Sequence, residues 1–195
     1  MEHFSRFAAA LTLSLALAAA AAAQDGEPQA GAAPQAGDES PAAPGQGYLA
    51  ETHGDWALRC VRSGADREPC HLYQLLRDGE GNSVAEITVF PINESTRAVL
   101  GATVATPLET LLTRQVTLSV DGGGARRYPF TYCSVQGCFS RIGLTQPEVD
   151  AFRQGNAATI AIVPLAAPDQ IVRLAVSLRG FTAGHNALLQ RTQPN

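Results

Sequence analysis

Four cysteines are the residues of this chain best able to do chemistry, and they come as two close pairs, Cys60 with Cys70 and Cys133 with Cys138. As thiolates, with His71 beside Cys70, they could ligate a soft metal. Neither pair has the C-x-x-C spacing of common zinc sites or of redox-active dithiols. Oxidation to disulfides fits better, because the chain opens with an export signal and exported proteins mature where thiols are oxidised. Four cysteines allow three connectivities. Cys60–Cys70 and Cys133–Cys138 are expected, since each closes a local turn between neighbouring strands. Around the second pair, Tyr128 to Phe139 reads as a β-hairpin whose four-residue connection, Ser134 to Gly137, ends on a glycine able to take positive φ. Paired Cα atoms in a tight hairpin stand ~4.5–5.5 Å apart, inside the usual disulfide range of roughly 4.4–6.8 Å. Closing loops this short stabilises a fold by ~2–3 kcal/mol each in the chain-entropy picture.

The remaining inventory is thin. His53, His71 and His185 are the histidines of the folded part, and none stands in a nucleophile or metalloprotease motif. Asp55 and Glu86 could pair as carboxylates, but solvated acids on strand faces are the plainer reading. Arg126, Arg127, Arg141, Arg173 and Arg179 could line an anion-binding face, or simply solvate a sheet. Tyr128, Phe130 and Tyr132 alternate with period two, so core packing is expected of them. Phe139 falls on the other alternation and is the better candidate for exposure. Trp56 reads as a core plug. No catalytic residue, metal or cofactor is expected. A contact surface made of Phe139, Arg126, Arg127 and Arg141 is the functional expectation.

Residues 1–23 have the layout of a secretory signal: Arg6, an Ala/Leu run, then Ala21-Ala22-Ala23 as a cleavage site. The run is short for a membrane span and lacks a basic stop, so no span should remain after cleavage. Residues 24–47 are rich in Ala, Gly, Pro and Gln and read as a disordered acidic linker. Residues 48–195 form the folded domain, long enough for one core. Five of the eighteen acids and one of the fourteen basic residues precede Tyr48, leaving thirteen of each, so the domain is neutral. That balance, without a basic block, argues against nucleic acid as a partner.

Along the domain, short apolar runs alternate with Gly, Pro and Asp punctuation. Strands are expected at Trp56–Cys60, Leu72–Leu76, Val84–Phe90, Ala98–Ala105, Val116–Val120, the two arms of the hairpin, Ala158–Val163 and Ile171–Leu178. Thr145 and Glu148 fit a capping box, with Pro147 in the first turn and Gly155 as the stop, for a helix burying Val149 and Phe152. A second short helix is expected over Ala183–Gln190, and a helical turn or wide loop over Pro107–Arg114. About nine strands with one or two short helices imply an all-β fold, an antiparallel β-sandwich or open barrel.

Several stretches, in order, resemble the invasion-associated locus B family of exported bacterial proteins. They are Gly54-Asp55-Trp56 leading to Cys60 and Cys70; Thr106-Pro107-Leu108 before the strand at Val116; Tyr128-Pro129-Phe130 to Cys133; Gln136-Gly137-Cys138; Phe152 to Gly155; and Ser177 to Thr182. Glu109 departs from the glycine usual after Pro-Leu. The resemblance implies a signal-bearing domain that is linked, in pathogenic members, to host-cell entry, and it implies no catalytic residues. The expected function is therefore non-catalytic protein–protein contact in the periplasm, or after secretion, of a Gram-negative bacterium, with an unknown partner in the envelope or on a host cell. The rival expectation is a periplasmic small-ligand binder or enzyme with a pocket between the sheets. Mass-tagging of the mature, denatured protein without reductant should find no free thiol, and a peptide map should link Cys133 to Cys138. Four free thiols, or stoichiometric zinc, would reverse this reading.

Overall fold

The computed structural model describes residues 43–65, 67–92 and 97–192. The expected signal peptide, the linker as far as residue 42, and Asp66 in the loop between Cys60 and Cys70 lie outside the described residues.

Alternating burial builds the first sheet. In β2 (Trp56–Val61) Trp56, Leu58 and Cys60 point inward, and in β3 (Cys70–Arg77) Cys70, Leu72, Gln74 and Leu76 do so. β4 (Ser83–Pro91) and β5 (Ala98–Thr106) continue the pattern with Ala85, Ile87, Val89, Leu100, Ala102 and Val104. β1 (Gly47–His53) lies outside β2, β9 (Gly137–Thr145) lies beside β5, and β8 (Tyr132–Ser134) closes the far edge. The resulting seven-stranded antiparallel sheet runs β1-β2-β3-β4-β5-β9-β8. A second sheet of four strands runs β11-β10-β6-β7, with β6 at Val116–Val120, β7 at Arg126–Tyr128, β10 at Ala157–Ile162 and β11 at Val172–Ser177.

Two sheets without a closed barrel settle the architecture as a sandwich. The described residues hold eleven strands where about nine were expected. The first extra strand, β1, has a register shift between Leu49 and Glu51, which hides its alternation. The second comes from Pro129. Without an N–H to donate, proline ends the pairing of β7 with β6, and the chain crosses to the other sheet before β8 begins. The Ser140 hydroxyl donates to the Pro129 carbonyl at 2.9 Å and holds the crossing.

Helix α1 (Gln146–Gln154) begins where the capping box predicts. The Thr145 N–H donates to Glu148 Oε2 at 2.8 Å, and Val149 and Phe152 are buried. Helix α2 (Phe181–Thr192) starts two residues earlier than expected, and a single 3-10 turn occupies Leu112–Arg114. The two helices meet over the core: Phe181 lies edge-on to Trp56 at 5.3 Å and to Phe152 at 5.2 Å between ring centres. Trp56, Phe152 and Phe181 are essentially fully buried, and with Leu58, Leu72, Ile87, Ile160 and Leu174 they fill the space between the sheets. No helix among the described residues is long and apolar enough to cross a membrane.

The β1–β2 turn and the β11–α2 turn interlock. The Asp55 N–H donates to the Arg179 carbonyl at 3.1 Å. The indole N–H of Trp56 donates to the Ser177 carbonyl at 2.8 Å, and Gln74 both donates to that carbonyl (3.0 Å) and accepts from the Ser177 N–H (2.8 Å). The turns approach so closely that a Cβ on Gly180 would stand 2.1 Å from the His53 carbonyl oxygen, and one on Gly54 2.4 Å from that of Arg179. Both glycines have positive φ, +87° and +57° respectively. Gly180→Ala should therefore destabilise the domain by at least ~2 kcal/mol, the left-handed penalty plus a backbone clash. A denaturant melt checks this; a midpoint equal to the parent's would show that the junction yields.

Candidate contact surface

Chain register decides which side chains share the outer face of the seven-stranded sheet. Cross-strand partners run Leu75–Glu86–Ala105–Phe139–Tyr132 in one row and Ala57–Tyr73–Thr88–Thr103–Arg141 in the next. The first row ends on the hairpin. Cys133 faces Cys138 and Ser134 faces Gly137, so the turn is the two residues Val135-Gln136 and not the four-residue connection expected. The bridges are Cys133–Cys138 and Cys60–Cys70, with Cα atoms 4.0 and 4.1 Å apart. No group of three or more His, Cys, Asp or Glu side chains placed to hold a metal occurs among the described residues.

Tyr132 and Phe139 are direct partners on this face and stack, with ring centres 4.8 Å apart and planes inclined by 17°. The Arg141 guanidinium stands 5.6 Å from the centre of the Tyr132 ring. Tyr132 is 45% exposed and covers the half-buried Phe139, the reverse of the expected assignment. The reason is the break at Pro129: Tyr128 and Tyr132 belong to different sheets, so one alternation does not run through both. Val135, at the tip, is 89% exposed. On one flank lies an open cleft of about 340 Å³ lined by Leu75, Val84, Glu86, Pro107, Gln136 and Phe139, among others. On the other lies one of about 310 Å³ that includes Leu112, Gln115, Phe130, Tyr132 and Cys133.

Further along the face, the Arg59 guanidinium sits 3.4 Å from the Tyr73 ring centre. Burial, followed by a hydrogen bond to Glu86, raises the Tyr73 phenol pKa. Burial and the neighbouring Arg59 charge lower the His71 pKa and favour the neutral imidazole, against a smaller opposing pull from Glu86. These four groups thus form an aromatic and charged extension of the hairpin patch, a cluster that sequence spacing alone did not indicate. Only the strand register brings Arg59 opposite His71.

The five arginines considered together do not share a face. Arg126 pairs with Glu148 at 3.3 Å, where Glu148 also accepts from Tyr128 at 2.7 Å; burial and that carboxylate push the Tyr128 phenol up to about 12. Arg127 projects on the four-stranded sheet in register with Thr117. Arg179 donates through Nε to Asp55 Oδ2 at 3.0 Å. Of the expected contact set, then, only Phe139 and Arg141 meet. Asp55 and Glu86 serve different partners and make no dyad. The histidines are also apart: His53 lies 2.9 Å from Glu51, and His185 stacks on Phe181 inside α2 with Nδ1 buried and unpartnered.

A family model described as "Invasion associated locus B (IalB) protein" matches residues 56–189. The chain belongs to the invasion associated locus B family. The crystal structure of invasion associated protein B from Bartonella henselae is similar to it, with a TM-score of 0.58 and 23% identity, covering 73% of this chain and 96% of that one. That likeness bears on the fold. No curated protein matches the chain. Two of the stretches that resemble the family, around Trp56 and around Ser177, form the two turns that interlock.

The Arg179 and Ser177 donors lower the Asp55 pKa from its usual 3.8 to about 2. The unfolded chain therefore binds the proton first on acidification. The Asp55 contribution to stability is complete above its ordinary pKa and is lost as pH falls towards 2. Asp55→Asn should melt below the parent at neutral pH, and the gap should close across this acidic window. A gap independent of pH would remove the charge from the explanation.

Proposed function

We propose that this chain is an exported, non-catalytic interaction domain that binds a protein through the stapled hairpin and the outer face of the seven-stranded sheet. The carrying observation is the Tyr132–Phe139 stack with Arg141 beside it, held at a rigid edge between two open clefts. Tyrosine and arginine are the side chains that most often anchor protein interfaces. A stack fixed by a disulfide one residue away loses little side-chain entropy on binding. The exposed Val135, Leu75, Leu108 and Leu112 supply apolar contact area nearby. Two disulfides and membership of the family support export to an oxidising compartment, with residues 1–23 as the signal and the chain from residue 24 to the start of β1 as a linker. The similar Bartonella henselae protein carries the word invasion in its name; for this chain the reading covers an envelope partner in the periplasm as well as one on a host cell.

The test is affinity capture with the mature oxidised protein from envelope extract and from medium, followed by titration of the recovered partner. Tyr132→Ala combined with Arg141→Ala should weaken binding by tenfold or more, about the loss of one interface anchor. Arg173→Ala, on the other sheet, should leave binding unchanged. Equal binding by all three proteins would overturn the proposal, as would a partner that binds only the reduced chain.

A further inference from the structure

We infer that the outer face of the four-stranded sheet carries a binding site for a phosphate or sulfate ester, built around Arg114 and Arg127. This site lies on the opposite sheet from the proposed protein contact and does not depend on it.

The sequence places Arg114 at the end of the 3-10 turn and Arg127 in β7, and the fold brings both to one cleft of about 310 Å³. Its lining is Thr113, Arg114, Gln115, Thr117, Arg127, Ala161, Val163 and Ile171: two guanidinium groups, two hydroxyls and an amide, with no carboxylate. The ion pairs of the described residues engage Arg62, Arg126, Arg179 and Arg191, but neither Arg114 nor Arg127. Neither guanidinium is therefore tied up in an ion pair among the described residues. Register extends the row, since Arg127 faces Thr117, Thr117 faces Ala161, and Ala161 faces Arg173. Arg127 and Arg173 thus stand ~14 Å apart at ~4.8 Å per strand, over small residues that leave room between them. Arg173 also lacks an ion pair among the described residues.

Backbone geometry adds a second observation. Gln115, between Arg114 and β6, has φ +57°, a left-handed conformation unusual for a residue other than glycine. Strained backbone of this kind is found where a chain must present a group in one orientation. Here it separates the Arg114 and Thr117 positions around the cleft mouth.

Paired arginine forks match the oxygens of a tetrahedral oxyanion, and hydroxyl and amide donors can complete its shell. The cleft is far larger than a bare oxyanion, and Val163 and the exposed Ile171 form an apolar wall. An ester fits this shape better than a free ion, with its carbon body against the wall and its charged head between the arginines. A lipid headgroup and a soluble sugar phosphate share that chemistry.

The probes are inorganic phosphate, inorganic sulfate, a hexose phosphate, and phosphatidylcholine vesicles with and without phosphatidic acid, each added to the mature oxidised protein. Thermal shift and amide NMR provide the readouts. We expect the hexose phosphate or the phosphatidic acid vesicles to bind saturably, to shift the amides of residues 113–117 and 127, and to weaken with added salt. Response to the hexose phosphate would identify a soluble ester, and response to the vesicles alone a headgroup. Arg127→Gln should weaken binding about tenfold, as loss of a charge-assisted contact does. Arg114→Gln with Arg127→Gln should abolish it, whereas Arg77→Gln, exposed on the seven-stranded sheet, should leave ester binding unchanged. Both arginines are exposed, so the variants should keep the parent's amide dispersion. No saturable response to any probe, binding equal in the double variant, or shifts confined to the hairpin would overturn the assignment.

Discussion

Burying a tryptophan completely costs free energy unless its indole N–H finds an acceptor. In this domain the acceptor for Trp56 is the Ser177 carbonyl, on the other sheet. Much of the architecture follows from that bond. It fixes the start of β2 against the end of β11, and Gln74 ties the same carbonyl and N–H to β3. Two glycines then let the adjoining turns touch backbone to backbone, and α2 leaves the junction carrying Phe181 back onto Trp56. Asp55 and Arg179 close the outside of the junction, where their exposed pairing adds much less than the buried bonds beneath it. Two of the stretches that carry the family likeness, around Trp56 and around Ser177, are thus architectural: they report how two sheets are joined.

Once the inner faces are joined, each sheet has one face left over, and the two differ in chemistry. The larger sheet shows Tyr132, Phe139, Tyr73 and Phe90 with Arg59 and Arg141 among them. The smaller shows Ser119, Thr117, Thr159 and Ala161, with arginines at one end. Rigid aromatic groups beside guanidinium suit a protein surface, whereas small residues beside unpaired guanidinium suit an anion. The differing registers and side-chain sizes produce this division; neither face needs a loop to create it.

Much of the fold was legible because local physics agreed with tertiary physics. The α1 capping box, the alternation in β2 and β6, and the apolar β10 each announce one structure. Legibility failed where a single residue redirects the chain. Pro129 ends one ladder and releases the chain into the other sheet, so the Tyr128–Tyr132 alternation, read as one strand, assigned Tyr132 to the core. The bulge in β1 removed the only periodic signal that strand had. The surface was harder still. Arg59, His71, Tyr73 and Glu86 lie up to 27 positions apart in sequence, and no spacing rule anticipates their cluster because strand register alone creates it. Charge presented a similar difficulty. Arg126 and Arg127 are neighbours in the chain, yet alternation sends them to opposite faces of β7, where Arg126 finds Glu148 and Arg127 finds the open cleft.

The placement of the two disulfides bears on this division of faces. Cys60–Cys70 bridges β2 and β3, already held by a broad sheet and a full core. Cys133–Cys138 lies at the far edge, where β8 has only three residues and only β9 as a partner. A three-pair edge hairpin is marginal in water without further support. The second bridge therefore does most for a segment that contributes little to the core. What it secures is the position of Tyr132 over Phe139. Reduction would loosen the aromatic edge before it disturbed the interior, so the bond that closes this hairpin also holds the proposed contact surface in place.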